Sequence, residues 1–234
     1  MRSSKLAWGG AFAALWFVVG CGGGGNGDPP PADGGPIIPT SGPYQPLTVG
    51  TTWTYHVDDQ GVVYDKQSSV EALEDIGGMA AGIMGYRVRE TIKSSIQLTW
   101  YEVTATDVRR HHDQVMSGTQ LTSEDWYSPY LLRVDTSSDH LKAGASWTMT
   151  YMDTKTTISK PTATTTDNQN WHVDSVGEAV TVPAGTFAAL QVTFTDKANG
   201  TSTKTQWFVQ GIGKVKEQTS SGHTEQLTAY KIAK

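Results

Sequence analysis

From Leu47 to the C-terminus the sequence alternates between apolar and polar residues in short runs, and none of it reads clearly as a helix. Trp53, Tyr55 and Val57 share one parity, as do Trp147, Met149 and Tyr151, and Leu190, Val192 and Phe194. A period of two places such residues on one face of a strand. The 188 residues of this region include 30 threonines and only three prolines, a composition that suits pleated, half-buried surfaces. The alternation predicts a mainly all-β domain of antiparallel strands. A chain of this size buries about 70% of its unfolded surface and supports one core. Glu71, Ala72, Leu73 and Glu74 favour helix locally, but an internal repeat argues for a strand there.

The repeat runs over residues 47–115 and 141–216. Leu47-Thr-Val-Gly50-Thr-Thr-Trp53-Thr-Tyr55 returns as Leu141-Lys-Ala-Gly144-Ala-Ser-Trp147-Thr-Met149, an offset of 94. The run from Val70 to Gly78 aligns with Val176 to Gly185, Tyr86-Arg-Val88 with Leu190-Gln-Val192, and Trp100-Tyr101 with Trp207-Phe208, where the offset has grown to 107. Insertion in the second copy accounts for the growth, and the polar stretch from Thr162 to Asn170 reads as the inserted loop. Two such halves, joined through Trp126 to Val134, give eight to eleven strands, enough that the sheet must curl into an open or closed barrel or split into two layers.

Three motifs occur in order: Pro46-Leu47-Thr-Val-Gly50-Thr-Thr-Trp53, Val182-Pro183-Ala-Gly185-Thr-Phe187 and Gly211-Ile-Gly213-Lys-Val215. Together they resemble a family of bacterial exported proteins and lipoproteins to which no activity is attached. At the level of fold, the resemblance extends to the curved half-barrels of the LolA and LolB lipoprotein carriers. It implies a curved antiparallel sheet forming an open or half β-barrel, which the internal repeat would build by tandem duplication.

The N-terminus supplies an address. Arg2 and Lys5 precede fourteen uncharged, mostly apolar residues from Leu6 to Val19. As a helix these rise about 21 Å, short of the ~30 Å hydrocarbon core, so residues 1–20 read as a signal peptide and not a membrane span. The run ends in Val18-Val19-Gly20-Cys21, which resembles the bacterial lipobox, with cleavage after Gly20 and acylation of Cys21. Cys21 is the single cysteine of the chain. Residues 21–46 hold eight of the 25 glycines and seven of the ten prolines, the composition of a disordered tether. Cleavage removes two of 18 basic residues and none of 23 acidic ones, so the net charge falls from −5 to −7. That charge excludes a general nucleic-acid footprint and leaves membrane attachment to the acyl chains. Gly22 behind the lipidated Cys21 implies the outer membrane of a bacterial envelope under the Gram-negative sorting rule.

Residues capable of chemistry are scattered. His56, His111, His112, His140, His172 and His223 form no metal-binding helical pair, and His111 and His112 would point to opposite faces of one strand. Asp167-Asn-Gln-Asn170 lacks the glycine and the glutamate of a calcium loop. Gly211-Ile-Gly213 is followed by no helix start, so it reads as a bend and not a phosphate cradle. Asn199-Gly200 reads as a hairpin turn. No nucleophile elbow or paired acid–base set is present, so the sequence predicts no catalytic residue, metal or cofactor. Six tryptophans of the mature chain must supply much of the core. Trp100, Trp147 and Trp207 are the candidates for the wall of an apolar groove. The expected function is a non-enzymatic binding module for a hydrophobic ligand or lipid. The alternative is a structural lipoprotein that docks another envelope protein. Replacement of Cys21 by Ser is expected to move the protein from the membrane to the soluble fraction of lysed cells; continued sedimentation with membranes would contradict the anchor.

Overall fold

The computed structural model describes residues 42–196 and 202–234. Cys21, Gly20, Val18, Val19, the tether up to residue 41 and the Asn199-Gly200 turn lie outside these residues. Twelve strands follow one another: β1 (Thr52–Asp59), β2 (Val62–Gly77), β3 (Ala80–Ile92), β4 (Ser95–Val103), β5 (Asp107–Ser117), β6 (Gln120–Asp135), β7 (Ser146–Thr157), β8 (Lys160–Val182), β9 (Gly185–Asp196), β10 (Ser202–Val209), β11 (Gly213–Thr219) and β12 (His223–Lys231). Each pairs antiparallel with its neighbours in sequence, and β1 pairs with β12 from Thr52↔Lys231 to Asp59↔His223. The sheet is a closed barrel, whereas the half-barrel resemblance implied an open edge. Closure pairs every described strand on both sides, although β6 and β7 meet only over Ser123–Ser128 and Met152–Thr157.

The two halves, β1–β6 and β7–β12, carry the same local details. Gly50 N–H donates to Val70 O and Val70 N–H to Thr51 O; Gly144 N–H donates to Val173 O and Val173 N–H to Ala145 O, all at 2.8–2.9 Å. The structural equivalent of Val70 is therefore Val173, and not the Val176 of the sequence alignment. A bulge follows each, between Val70 and Ala72 and between Val173 and Ser175. The β4–β5 ladder slips at Trp100/Tyr101 and the β10–β11 ladder at Trp207/Phe208. Residues 162–170 are not a loop but the outer part of β8, and residues 126–134 lie within β6. The threonines of β8 line the outside, where Thr148–Asn170, Thr150–Asn168, Thr154–Thr164 and Thr156–Thr162 form side-chain hydrogen bonds across to β7 at 2.6–3.0 Å. Such polar ladders on the outer wall suit water, unlike the outward apolar band of a membrane-spanning barrel.

The two ends of the barrel differ. At the end where the chain enters, residues 43–47 fold under the strands. Gly211 N–H donates to Pro43 O, and Gln45, Pro46 and Leu47 are buried. Residues 43–46 thus pack with the barrel together with Leu47. Trp53 donates its Nε1–H to Ile212 O at 2.6 Å, and Gly213 passes close behind it with φ 104°, a backbone conformation that favours glycine. Above this floor Phe187, Leu190, Phe208, Leu227, Val57, Val173 and Val215 are fully buried and fill the lower barrel. Cutting Leu190 to Ala should cost about 2–5 kcal/mol of stability in denaturant unfolding, since a packed floor cannot collapse around the void; a loss below about 1 kcal/mol would show that this end is loosely filled.

Candidate functional site

Above the apolar layer the inward side chains change character. Lys66 on β2, Lys214 and Glu217 on β11 and Glu225 on β12 are only 4–6% exposed. Lys66 Nζ donates to both oxygens of Glu225 at 2.7 and 2.6 Å. Lys214 Nζ donates to Glu225 Oε2 at 2.6 Å and to Glu217 Oε2 at 2.8 Å, and Gln206 Nε2 adds a bond of 2.7 Å to the same Glu217 oxygen. Lys204 approaches the other Glu217 oxygen at 2.9 Å. Both buried ammoniums sit over the Tyr55 ring, 5.1 and 5.2 Å from its centre, while the Tyr55 hydroxyl donates to Lys214 O. The array walls a cavity of about 340 Å³ that opens at the end of the barrel carrying the β1–β2, β3–β4 and β11–β12 turns.

The electrostatics hold these groups in their charged forms. Burial alone would raise the Glu217 and Glu225 carboxyls, but the Lys214 ammonium and its cationic neighbours outweigh it and keep both well below the usual carboxylate range. Burial alone would lower Lys66 and Lys214, yet the surrounding glutamates raise both. All four shifts favour the charged form at neutral pH. Glu217, His223 and Glu225 each place a ligand atom within 4.8 Å of the others. The glutamate oxygens already bind ammoniums, so this trio suits an ion-pair array better than a metal.

A second chamber of about 340 Å³ lies across the lumen, beneath β5–β8, and is acidic. Asp113 pairs with Arg110 and accepts from the Tyr127 hydroxyl at 2.9 Å, and Lys155 reaches Asp125 at 2.7 Å. Asp153 is pushed up to about 6, first by burial and then by the neighbouring Asp125. An inner chamber of about 240 Å³ adjoins both, sharing Arg110 and Arg133 with the first and Leu131 with the second.

The candidate tryptophans do not build one wall. Trp100 lies on the outer face of β4, stacked on His112 at 4.5 Å, and His112 stacks on Trp126 at 3.7 Å. The β2–β3 hairpin folds over this stack: Trp100 donates to Glu74 Oε1 at 2.8 Å, and Ile76 and Ala80 cover it. A Cβ at Gly78 would fall 2.5 Å from the Trp126 ring, so the tip requires glycine there. Trp207 is half-buried on the outside of β10, on the opposite side of the barrel from β4, under the Lys216 ammonium at 4.8 Å. Trp147 packs against the core between His140 at 3.8 Å and Trp171 at 5.8 Å. His111 is the extra residue of the β5 slip between Arg110 and His112, so the two histidines do not take opposite faces as strict alternation predicted; they reach Glu102 and Glu124.

Sequence reading missed the charged lumen. Lys66 shares the inward parity of Tyr64 and Ser68 and was legible as a charge on a buried face. Lys214 was not. Val215 is fully buried beside it, and only the slip at Trp207/Phe208 turns both inward. Comparisons with protein-family profiles, curated proteins and solved structures found no match for this chain.

Because the folded pKa of Asp153 lies above its unfolded value of 3.8, its ionisation works against folding. The stability that its protonated form contributes is complete below about pH 4 and lost as pH rises through 6. Asp153→Asn should therefore raise the melting temperature at pH 8 and leave it nearly unchanged at pH 3.5. An equal gain at both values would place the cause elsewhere.

Proposed function

We propose that this chain is a lipid-anchored, non-catalytic binding module of the bacterial envelope, at the outer membrane, that takes a small polar ligand through the charged mouth of its barrel. One observation carries the reading: four charged side chains, each only 4–6% exposed, stand together on the wall of a cavity. Buried ion pairs are often neutral or destabilising relative to apolar replacements, so their presence calls for a reason other than stability. Clusters of strongly perturbed groups in clefts mark binding and catalytic sites. Catalysis is disfavoured at this cluster because the lysines stay protonated and the glutamates ionised, leaving neither a nucleophilic amine nor a general acid. The polar ligand replaces the acyl chain anticipated from the tryptophans, since the apolar half of the lumen is filled by its own side chains.

A protein partner remains the second reading. Leu73, Met79 and Met84 are about half exposed or more on the protruding β2–β3 hairpin, an apolar surface suited to docking another envelope protein. The two readings separate in a thermal-shift screen of the mature Cys21→Ser chain against small anions, zwitterions, sugars and fatty acids. Stabilisation by polar solutes that Lys214→Met abolishes is expected. Stabilisation by fatty acids alone, unaffected by Lys214→Met, would overturn the polar-ligand reading.

A further inference from the structure

We infer that the inner chamber of the lumen holds a small hydroxy-carboxylate, its carboxylate on Arg133 and its hydroxyls on the side-chain carbonyls of Gln169 and Gln206. The inference rests on the reading of the mouth as a binding site. The other cations of the lumen are engaged: Arg110 with Asp113, Lys204 with Glu217, Lys66 and Lys214 with Glu225. Arg133 differs. Among the described residues it meets no carboxylate within 4.0 Å, and its Nε is buried without a hydrogen-bond partner. Its guanidinium stands 5.3 Å from the Phe208 ring, on the floor side, and it lines both the mouth cavity and the inner chamber.

Charge counting agrees. With Arg110 neutralised by Asp113, the mouth and inner chamber hold Lys66, Arg133, Lys204 and Lys214 against Glu90, Glu217 and Glu225. Four positive charges against three negative, with the pKa of the His223 imidazole raised by its bond to Glu225 at the rim, leave at least one cation uncompensated, so the site favours an anion. Arginine presents a planar fork of donors that fits a carboxylate in two-bond geometry.

The glutamines define the remainder of the ligand. Gln206 is 1% exposed and Gln169 is 4% exposed; both line the inner chamber, and the Oε1 of each is buried with no partner among the described residues. The orientation of Gln206 is fixed, because its amide nitrogen donates to Glu217 and so its carbonyl must face away. Two buried acceptors without donors are costly to leave unmade. A bare carboxylate carries no donor for them. An ammonium would bring a second positive charge beside Lys204 and Arg110, whereas hydroxyls donate without charge. At about 240 Å³ the chamber is smaller than the roughly 300–1,000 Å³ of drug-sized sites, which limits the guest to a few carbon atoms.

The test is calorimetric titration of the mature Cys21→Ser chain at pH 7 with gluconate, with sorbitol, which lacks the carboxylate, and with propionate, which lacks the hydroxyls. Gluconate should bind at least about tenfold tighter than either, because each analogue strands one set of buried groups. The ¹⁵Nε signal of Arg133 should shift on addition of gluconate to the Arg133-intact chain. Arg133→Met, checked for its strand signal by circular dichroism, should erase the preference over sorbitol. Equal binding of sorbitol or propionate, or an unmoved Arg133 signal in the gluconate complex, would overturn the inference. If none of the three binds while other polar solutes stabilise the chain, the inference falls and the polar mouth stands; if no polar solute binds at all, both fall.

Discussion

Lys66 and Lys214 both donate to one carboxylate oxygen of Glu225 at 2.6 Å, and the rest of the molecule is arranged around that shared atom. The contact joins β2, β11 and β12, and so ties the first strands of the chain to its last across the β1–β12 seam. It also marks the boundary between the packed apolar floor and the polar mouth. An isolated charge at this depth would cost several kcal/mol, and removing one partner would leave such a charge behind. The array therefore persists as a unit or not at all. Tyr55 supports it from below with its ring face, so the aromatic and ionic layers are continuous.

Bulges let a strict period of two deliver this arrangement. Between Trp207 and Phe208 the β10–β11 ladder slips by one residue, so that Lys214 and Val215 both face inward. The equivalent slip at Trp100/Tyr101 turns Arg110 inward, three residues before Asp113. Arg110–Asp113 and Lys214–Glu217 thus occupy matching places in the two six-strand halves. The copies have diverged in their surroundings: the Lys214–Glu217 pair meets Lys204 and, from β2, Lys66, whereas the Arg110–Asp113 pair lies on the side of the lumen with Asp125, Asp153 and Asp167. A lumen positive on one side and negative on the other is the outcome.

The fold was largely legible because alternation is a local property. Trp53-Tyr55-Val57 and Leu190-Val192-Phe194 point inward as their parity required, and the repeat correctly turned Val70–Ile76 from helix to strand. Threonine misled at residues 162–170, where a polar run that looks like a loop is a strand wetted on its outer side. The strand count allowed a closed barrel, but the choice of closed over open was not legible, since no residue of β1 or β12 announces that the two will pair. The tryptophans misled as site candidates because an outward aromatic and an inward one look alike until the bulges are known. Trp100 is buried by a hairpin that folds back over it, a long-range event without a signature in its neighbours. Lys66 carried a readable signal, and Arg133 did not, because it is the extra residue of a slip between Val108/Val134 and Arg109/Leu132.

The central claim is that buried ammoniums held by carboxylates stand inside the barrel. Nitrogen NMR of lysine side chains across a pH titration tests it directly. Exposed lysines should titrate near 10.4. The Lys66 and Lys214 ammonium signals should remain protonated beyond that point and exchange slowly with solvent, as expected for groups 4% exposed and bound to Glu225. Titration of both signals together with the surface lysines, with rapid solvent exchange, would contradict the account.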